Sequence, residues 1–158
     1  MNAKFLLGND RKKLLQEFSN RFGIVDPGYL FIETGKSKIR GFSGSLARED
    51  IMNLDEFARI ELIGTYIARD DEMTGLRLSF DAPHIKGIQV TKNVIELNAE
   101  EFEKWRYGEP LAKELEIGIY VVSFLGDTWG CGYSTGQKLL NYIPKERIVK
   151  KKVKKEVI

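Results

Sequence analysis

Cysteine and histidine are the scarcest chemically useful residues in this chain of 158: one Cys and one His. One cysteine forms no internal disulfide, which fits a reducing compartment. One Cys and one His fall short of the three or four N/S ligands that zinc takes. A thiolate nucleophile needs a neighbouring base, and His84 stands beside Pro83, far along the chain from Cys131. Cys131 therefore reads as a packing residue and His84 as a surface or boundary residue. Long apolar runs are also lacking. Ile117 to Leu125 is the longest and is broken by Gly118 and Ser123, short of the ~20 residues of a membrane span. The N-terminus lacks the basic-then-apolar layout of a secretory signal. No metal, cofactor or membrane contact is expected, and the expected location is cytoplasmic.

Glycine is plentiful, yet it does not spell a phosphate loop. Gly130-x-Gly132-x-x-x-Gly136 has the wrong spacing for a dinucleotide fingerprint, and no Gly-Lys-Ser/Thr completes a P-loop. Glycines among β-formers serve turns and bulges. The acidic run Asp70-Asp71-Glu72 reads as a solvated hairpin tip.

A core is affordable in composition: 42% of residues are hydrophobic and 11% aromatic. Leu14, Leu15, Phe18 and Phe22 share one helical face, with Asn9 or Asp10 as cap and Gly23 as stop. Tyr29 to Glu33, Lys38 to Phe42, Ile60 to Ala68 and the alternating Leu76, Leu78 and Phe80 read as strands. Residues 46–57 read as a second helix. The boundary is placed at Asp81 to Gly87, giving an α/β part at residues 1–84 and a mostly β part at 85–158. In the latter, Val94 to Leu97 is a strand. Asn98 caps a helix that Gly108 stops, with Glu100 and Glu101 at its positive end. Ile119 to Leu125 and Trp129 to Tyr133 are strands around a Gly126-Asp127 turn.

Charge is distributed unevenly. The chain nets +2, but residues 138–158 hold eight basic and two acidic side chains, +6, against −4 elsewhere. Such asymmetry is the footprint of a polyanion site, or of a terminus that only keeps the chain solvated. Lys138, Lys145, Arg147, Lys150, Lys151 and Lys152 are interleaved with Asn141 and Tyr142. Lysine and arginine neutralise phosphates. Asn can read a base edge, and Tyr can stack on an unpaired base or pack into the core. Arg106, beside Gly108-Glu109, is a secondary candidate.

These residues also carry a resemblance. From Trp105 to Ile148 the chain has Gly108-Glu109 after a helix and the glycine-led strand Gly118 to Phe124. Gly130-Cys131-Gly132 and Thr135-Gly136 follow. The close is Leu139-Leu140-Asn141-Tyr142-Ile143-Pro144-Lys145-Glu146-Arg147. This pattern resembles the C-terminal RNA-binding, PUA-like domain of Nop/Sun-type RNA cytosine-5 methyltransferases. Arg21 to Ile24 and Gly75 to Gly87 resemble the region preceding that domain. Nip-type ribosome-biogenesis factors, which join an α/β domain to a PUA domain, are related. The chain departs from the methyltransferases in having no glycine-rich cofactor loop and no Pro-Cys motif. It also has Tyr133 where a Lys or Arg often follows Gly-x-Gly. The resemblance implies an α+β protein, a pre-PUA-like α/β domain followed by a small PUA-like β-barrel. It implies a non-enzymatic accessory protein that binds rRNA or tRNA in ribosome biogenesis or RNA modification. A methyltransferase or ribosome-assembly protein would be its protein partner. The RNA-recognition subunit of a split methyltransferase and a protein-binding adaptor are the alternatives.

Overall fold

The computed structural model describes residues 1–152 and divides them between two compact units, Met1–Asn93 and, from Val94 onward, the C-terminal unit. Lys154, Lys155 and Glu156, which contribute to the basic end, lie outside the described residues.

The N-terminal unit is an antiparallel sheet in sequence order, β1 (Ala3–Leu6), β2 (Leu30–Thr34), β3 (Lys38–Phe42), β4 (Thr65–Asp71) and β5 (Gly75–Leu78). Helix α1 (Gly8–Phe22) joins β1 to β2, and α2 (Arg48–Phe57) joins β3 to β4. Leu14, Phe18 and Phe22 recur at helical spacing on α1 and are buried. Phe18 meets Phe31 of β2 with ring centroids 5.9 Å apart. The helix begins earlier than expected, with Leu7 as N-cap and no side-chain cap. Its end is as expected. Gly23 is left-handed (φ 66°), and the N–H groups of Gly23 and Ile24 reach the Ser19 and Phe18 carbonyls.

The division falls after Asn93 and not after residue 84, because residues 85–93 are tied to the end of α1. The amides of Thr91 and Lys92 donate to Phe22 O, Asn93 Nδ2 donates to Arg21 O, and Tyr29 Oη donates to Lys86 O. His84 is exposed in the 3-10 turn Ala82–His84. At the β4–β5 hairpin, Asp71 Oδ1 accepts the amides of Met73 and Thr74. Those bonds hold its carboxyl below the usual range, so it shapes the turn.

The C-terminal unit is a mixed, curled half-barrel with strands in the order β6 (Val94–Glu96), β8 (Gly118–Phe124), β9 (Asp127–Ser134), β10 (Lys138–Asn141) and β7 (Leu111–Ala112). β6 runs parallel to β8, and the remaining pairs are antiparallel. Helix α3 (Ala99–Trp105) follows β6. Asn98 caps it as its spacing predicts: Asn98 Oδ1 accepts Glu101 N, and Glu101 Oε1 accepts Asn98 N. Together with the N-terminal unit this makes an α+β chain.

Candidate nucleic-acid interface

Trp105 at the end of α3 organises the region where the basic segment lies. Its side chain is fully buried, and its Nε1 donates to Trp129 O at 2.8 Å. A Cβ on Gly132 would stand 2.8 Å from the Trp105 ring and 2.8 Å from Leu140 O. The second glycine of Gly-x-Gly therefore admits the indole over β9; it does not cradle a phosphate. Cys131 between the two glycines is buried and pairs with Val121 across β8 and β9. Its reading as a packing residue holds.

Asn141 requires a correction. Its Nδ2 donates to Trp105 O (2.8 Å) and to Glu109 O (3.1 Å), and its Oδ1 accepts Ile143 N (2.9 Å). Both amide protons are used inside the unit, so Asn141 fastens β10 to the turn after α3 and does not read a base. Asn141→Ala is expected to destabilise the protein by about 2–3 kcal/mol, at roughly 1 kcal/mol per lost bond. It should leave RNA affinity unchanged wherever the protein is folded. Chemical denaturation and binding titrations check the two halves separately.

That turn carries the cations. Gly108, at φ 84°, reverses the chain, and a Cβ there would meet Ile148 Cδ1 at 2.8 Å. The amide of Val149 donates to Arg106 O at 2.9 Å. The segment after Pro144 is thereby laid along the end of α3. Arg106 lies 4.9 Å from the Tyr107 ring centroid and Lys151 Nζ 5.2 Å from the same centroid. Tyr107 was not legible as a site residue. Its one sequence signal is its place between Arg106 and Gly108.

Two acids temper this cluster. Arg106 Nη2 binds Glu103 Oε1 at 2.8 Å, and Lys151 Nζ lies 3.4 Å from Glu109 Oε1. The hydrogen bond that Arg106 donates to Glu103 raises the Arg106 pKa above its ordinary value. Lys145, Lys150 and Lys152 are exposed and, among the described residues, form no ion pair. Arg147 is exposed in the 3-10 turn Lys145–Arg147. Lys138 is exposed at the opposite end of β10 from Asn141, paired with Ala112 of β7. Tyr142 is half-buried, and its amide donates to Cys131 O. Among the described residues no group of three or more His, Cys, Asp or Glu could hold a metal ion. No helix among them is long and apolar enough to cross a membrane.

A helix ending in a glycine turn against a curled five-stranded sheet is an arrangement consistent with a PUA-like domain. Residues 92–149 match the family described as the methyltransferase RsmF PUA domain. Over 145 residues, 90% of its length, the chain is 26% identical to the ribosomal RNA small subunit methyltransferase F of Aeromonas salmonicida (strain A449). It spans 29% of that relative. The resemblance to a methyltransferase PUA-like domain is thus shown for the C-terminal segment. A match of 145 residues also extends well into the N-terminal unit.

Proposed function

We propose that this protein binds structured RNA, rRNA or tRNA, through its C-terminal unit and serves ribosome biogenesis or RNA modification in the cytoplasm. It does so as an accessory factor that performs no methyl transfer itself. The carrying observation is that residues 92–149 match a methyltransferase PUA domain and lay an exposed basic segment beside Arg106. Lys138, Lys145, Arg147, Lys150, Lys151, Lys152 and Arg106 supply phosphate contacts, and Tyr142 an aromatic contact. The N-terminal unit orients this surface or docks a protein partner.

Titrating rRNA and tRNA fragments at several salt concentrations tests the reading. Each phosphate neutralised contributes about 0.7–0.9 to the slope of log K against log salt. A slope magnitude of roughly 4–6 is expected. Binding that is absent, or indifferent to salt, would overturn the assignment. Recovery of proteins without nuclease-sensitive material in a pull-down would favour an adaptor.

One observation favours a second reading. The likeness to a ribosomal RNA methyltransferase runs over 90% of the chain and so involves both units. This suits an RNA-recognition part that works with a separate cytosine-5 methyltransferase domain carrying the Pro-Cys motif. Methyl transfer from S-adenosylmethionine only after that partner is added would support it. Transfer by this protein alone would overturn the non-enzymatic role.

A further inference from the structure

The turn between β8 and β9 puts a large apolar residue where the backbone opposes one. Phe124 pairs with Asp127, so Leu125 and Gly126 form the two-residue loop, with φ 49° and 85°. Two positive φ values in a two-residue hairpin are the pattern of a type I′ turn, which favours Asn-Gly. The expected Gly126-Asp127 turn is thus displaced by one residue. Leucine in the left-handed region is strained, and Leu125 is nevertheless 81% exposed. The turn is held in place by Glu96 Oε1, which accepts Leu125 N at 2.8 Å.

Beside this tip lies an aromatic cluster that the hydrophobic core does not fully enclose. Phe102 of α3 stacks on Phe124 with centroids 4.0 Å apart and planes within 8°. Trp129 meets Phe102 edge-on at 4.9 Å. All three rings remain partly accessible. Phe102 also lies one helical turn before Arg106, whose amide donates to Phe102 O. Side chains four residues apart on a helix are neighbours, about 6 Å between Cβ atoms. The apolar patch therefore continues directly into the cation cluster.

We propose that Leu125, Phe124, Phe102 and Trp129 form a binding site for an unpaired nucleobase. Leu125 acts as the wedge and the rings as the stacking surface, while the neighbouring cations hold the adjoining phosphates. This rests on the RNA-binding reading and adds its base-contacting part. Continuity with Arg106 favours a nucleic acid, whose flat apolar bases alternate with anions. Apolar side chains are used as wedges between stacked bases, and backbone strain held at an exposed tip points toward function.

Leu125→Gly tests the wedge, because it relieves the strain while removing the side chain. The thermal midpoint should stay level or rise by a few degrees. Affinity for a single-stranded or bulged RNA should fall about 5- to 20-fold, with the salt slope unchanged. Phe124→Leu keeps an apolar residue at the half-buried position but removes the ring, and should cost about tenfold on the same RNA. A fully paired duplex should be bound equally by all three proteins. Two outcomes separate the readings. Salt-dependent RNA binding that neither substitution weakens would overturn the nucleobase site and leave the RNA assignment standing. Wild-type protein that binds no RNA would overturn both.

Discussion

Trp105→Ala is expected to unfold the C-terminal unit. Truncating a buried tryptophan costs about 3–5 kcal/mol through lost packing and the cavity left behind. Here the loss is greater than packing alone, because Trp129 O would lose the Nε1 donor 2.8 Å away and burial of an unpaired carbonyl adds roughly 1–3 kcal/mol. A unit of this size has only about 3–10 kcal/mol to lose, at 0.05–0.15 kcal/mol per residue. Trp105→Phe keeps most of the apolar volume and removes the same hydrogen bond, so it should cost less and remain folded. The chain's two tryptophans, Trp105 and Trp129, both lie in this unit. After the substitution, Trp129 emission reports on it selectively. A red-shifted emission in buffer, with the N-terminal unit still melting cooperatively by circular dichroism, is the expected result. A native-like Trp129 spectrum with an unchanged urea midpoint would refute the central role of Trp105.

The elements legible in the sequence are those with local signals. The α1 stripe of Leu14, Phe18 and Phe22, the Gly23 stop and the Asn98/Glu101 capping box each depend on residues within a few positions of one another. The strands β1, β7 and β10 have four, two and four residues and were not anticipated. Their pairing partners are distant, β1 with β2 across the whole of α1 and β7 with β10 across two strands. The helix expected over 46–57 starts at Arg48, and the strand expected from Ile60 starts at Thr65. In the site, Asn141 shows the limit most clearly. An asparagine among lysines has the composition of a base reader. Its bonds to Trp105 O and Glu109 O, 36 and 32 residues away, are properties of the fold alone. Glu109 was likewise invisible as a counterion of Lys151, 42 residues further on, until the chain reversed at Gly108.

Those counterions decide how a quadruple substitution should behave. Changing Lys145, Arg147, Lys150 and Lys151 to Ala removes four cations from the exposed segment. At about 0.1 M salt each released counterion contributes close to 1 kcal/mol, since a slope of 0.7–0.9 multiplies one decade of 1.4 kcal/mol. Four independent contacts would change affinity on the order of 1000-fold and the slope by roughly 3. Lys151 is not independent, because Glu109 already offsets part of its charge, so 100- to 1000-fold is the expected range. Lys145→Ala and Lys150→Ala should each lower the slope by about 0.7–0.9, whereas Lys151→Ala should lower it by less and free Glu109 to repel phosphate. Glu109→Gln should act oppositely, strengthening binding several-fold at low salt with the gain vanishing near 1 M, where screening extends to about 3 Å. Filter binding or fluorescence anisotropy across a salt series reads all of these. Equal slopes for the quadruple variant and the parent would show that Lys145, Arg147, Lys150 and Lys151 lie outside the RNA footprint. A parent slope that still reflected several phosphates would then have to come from other cations, Arg106, Lys138 and Lys152 among them.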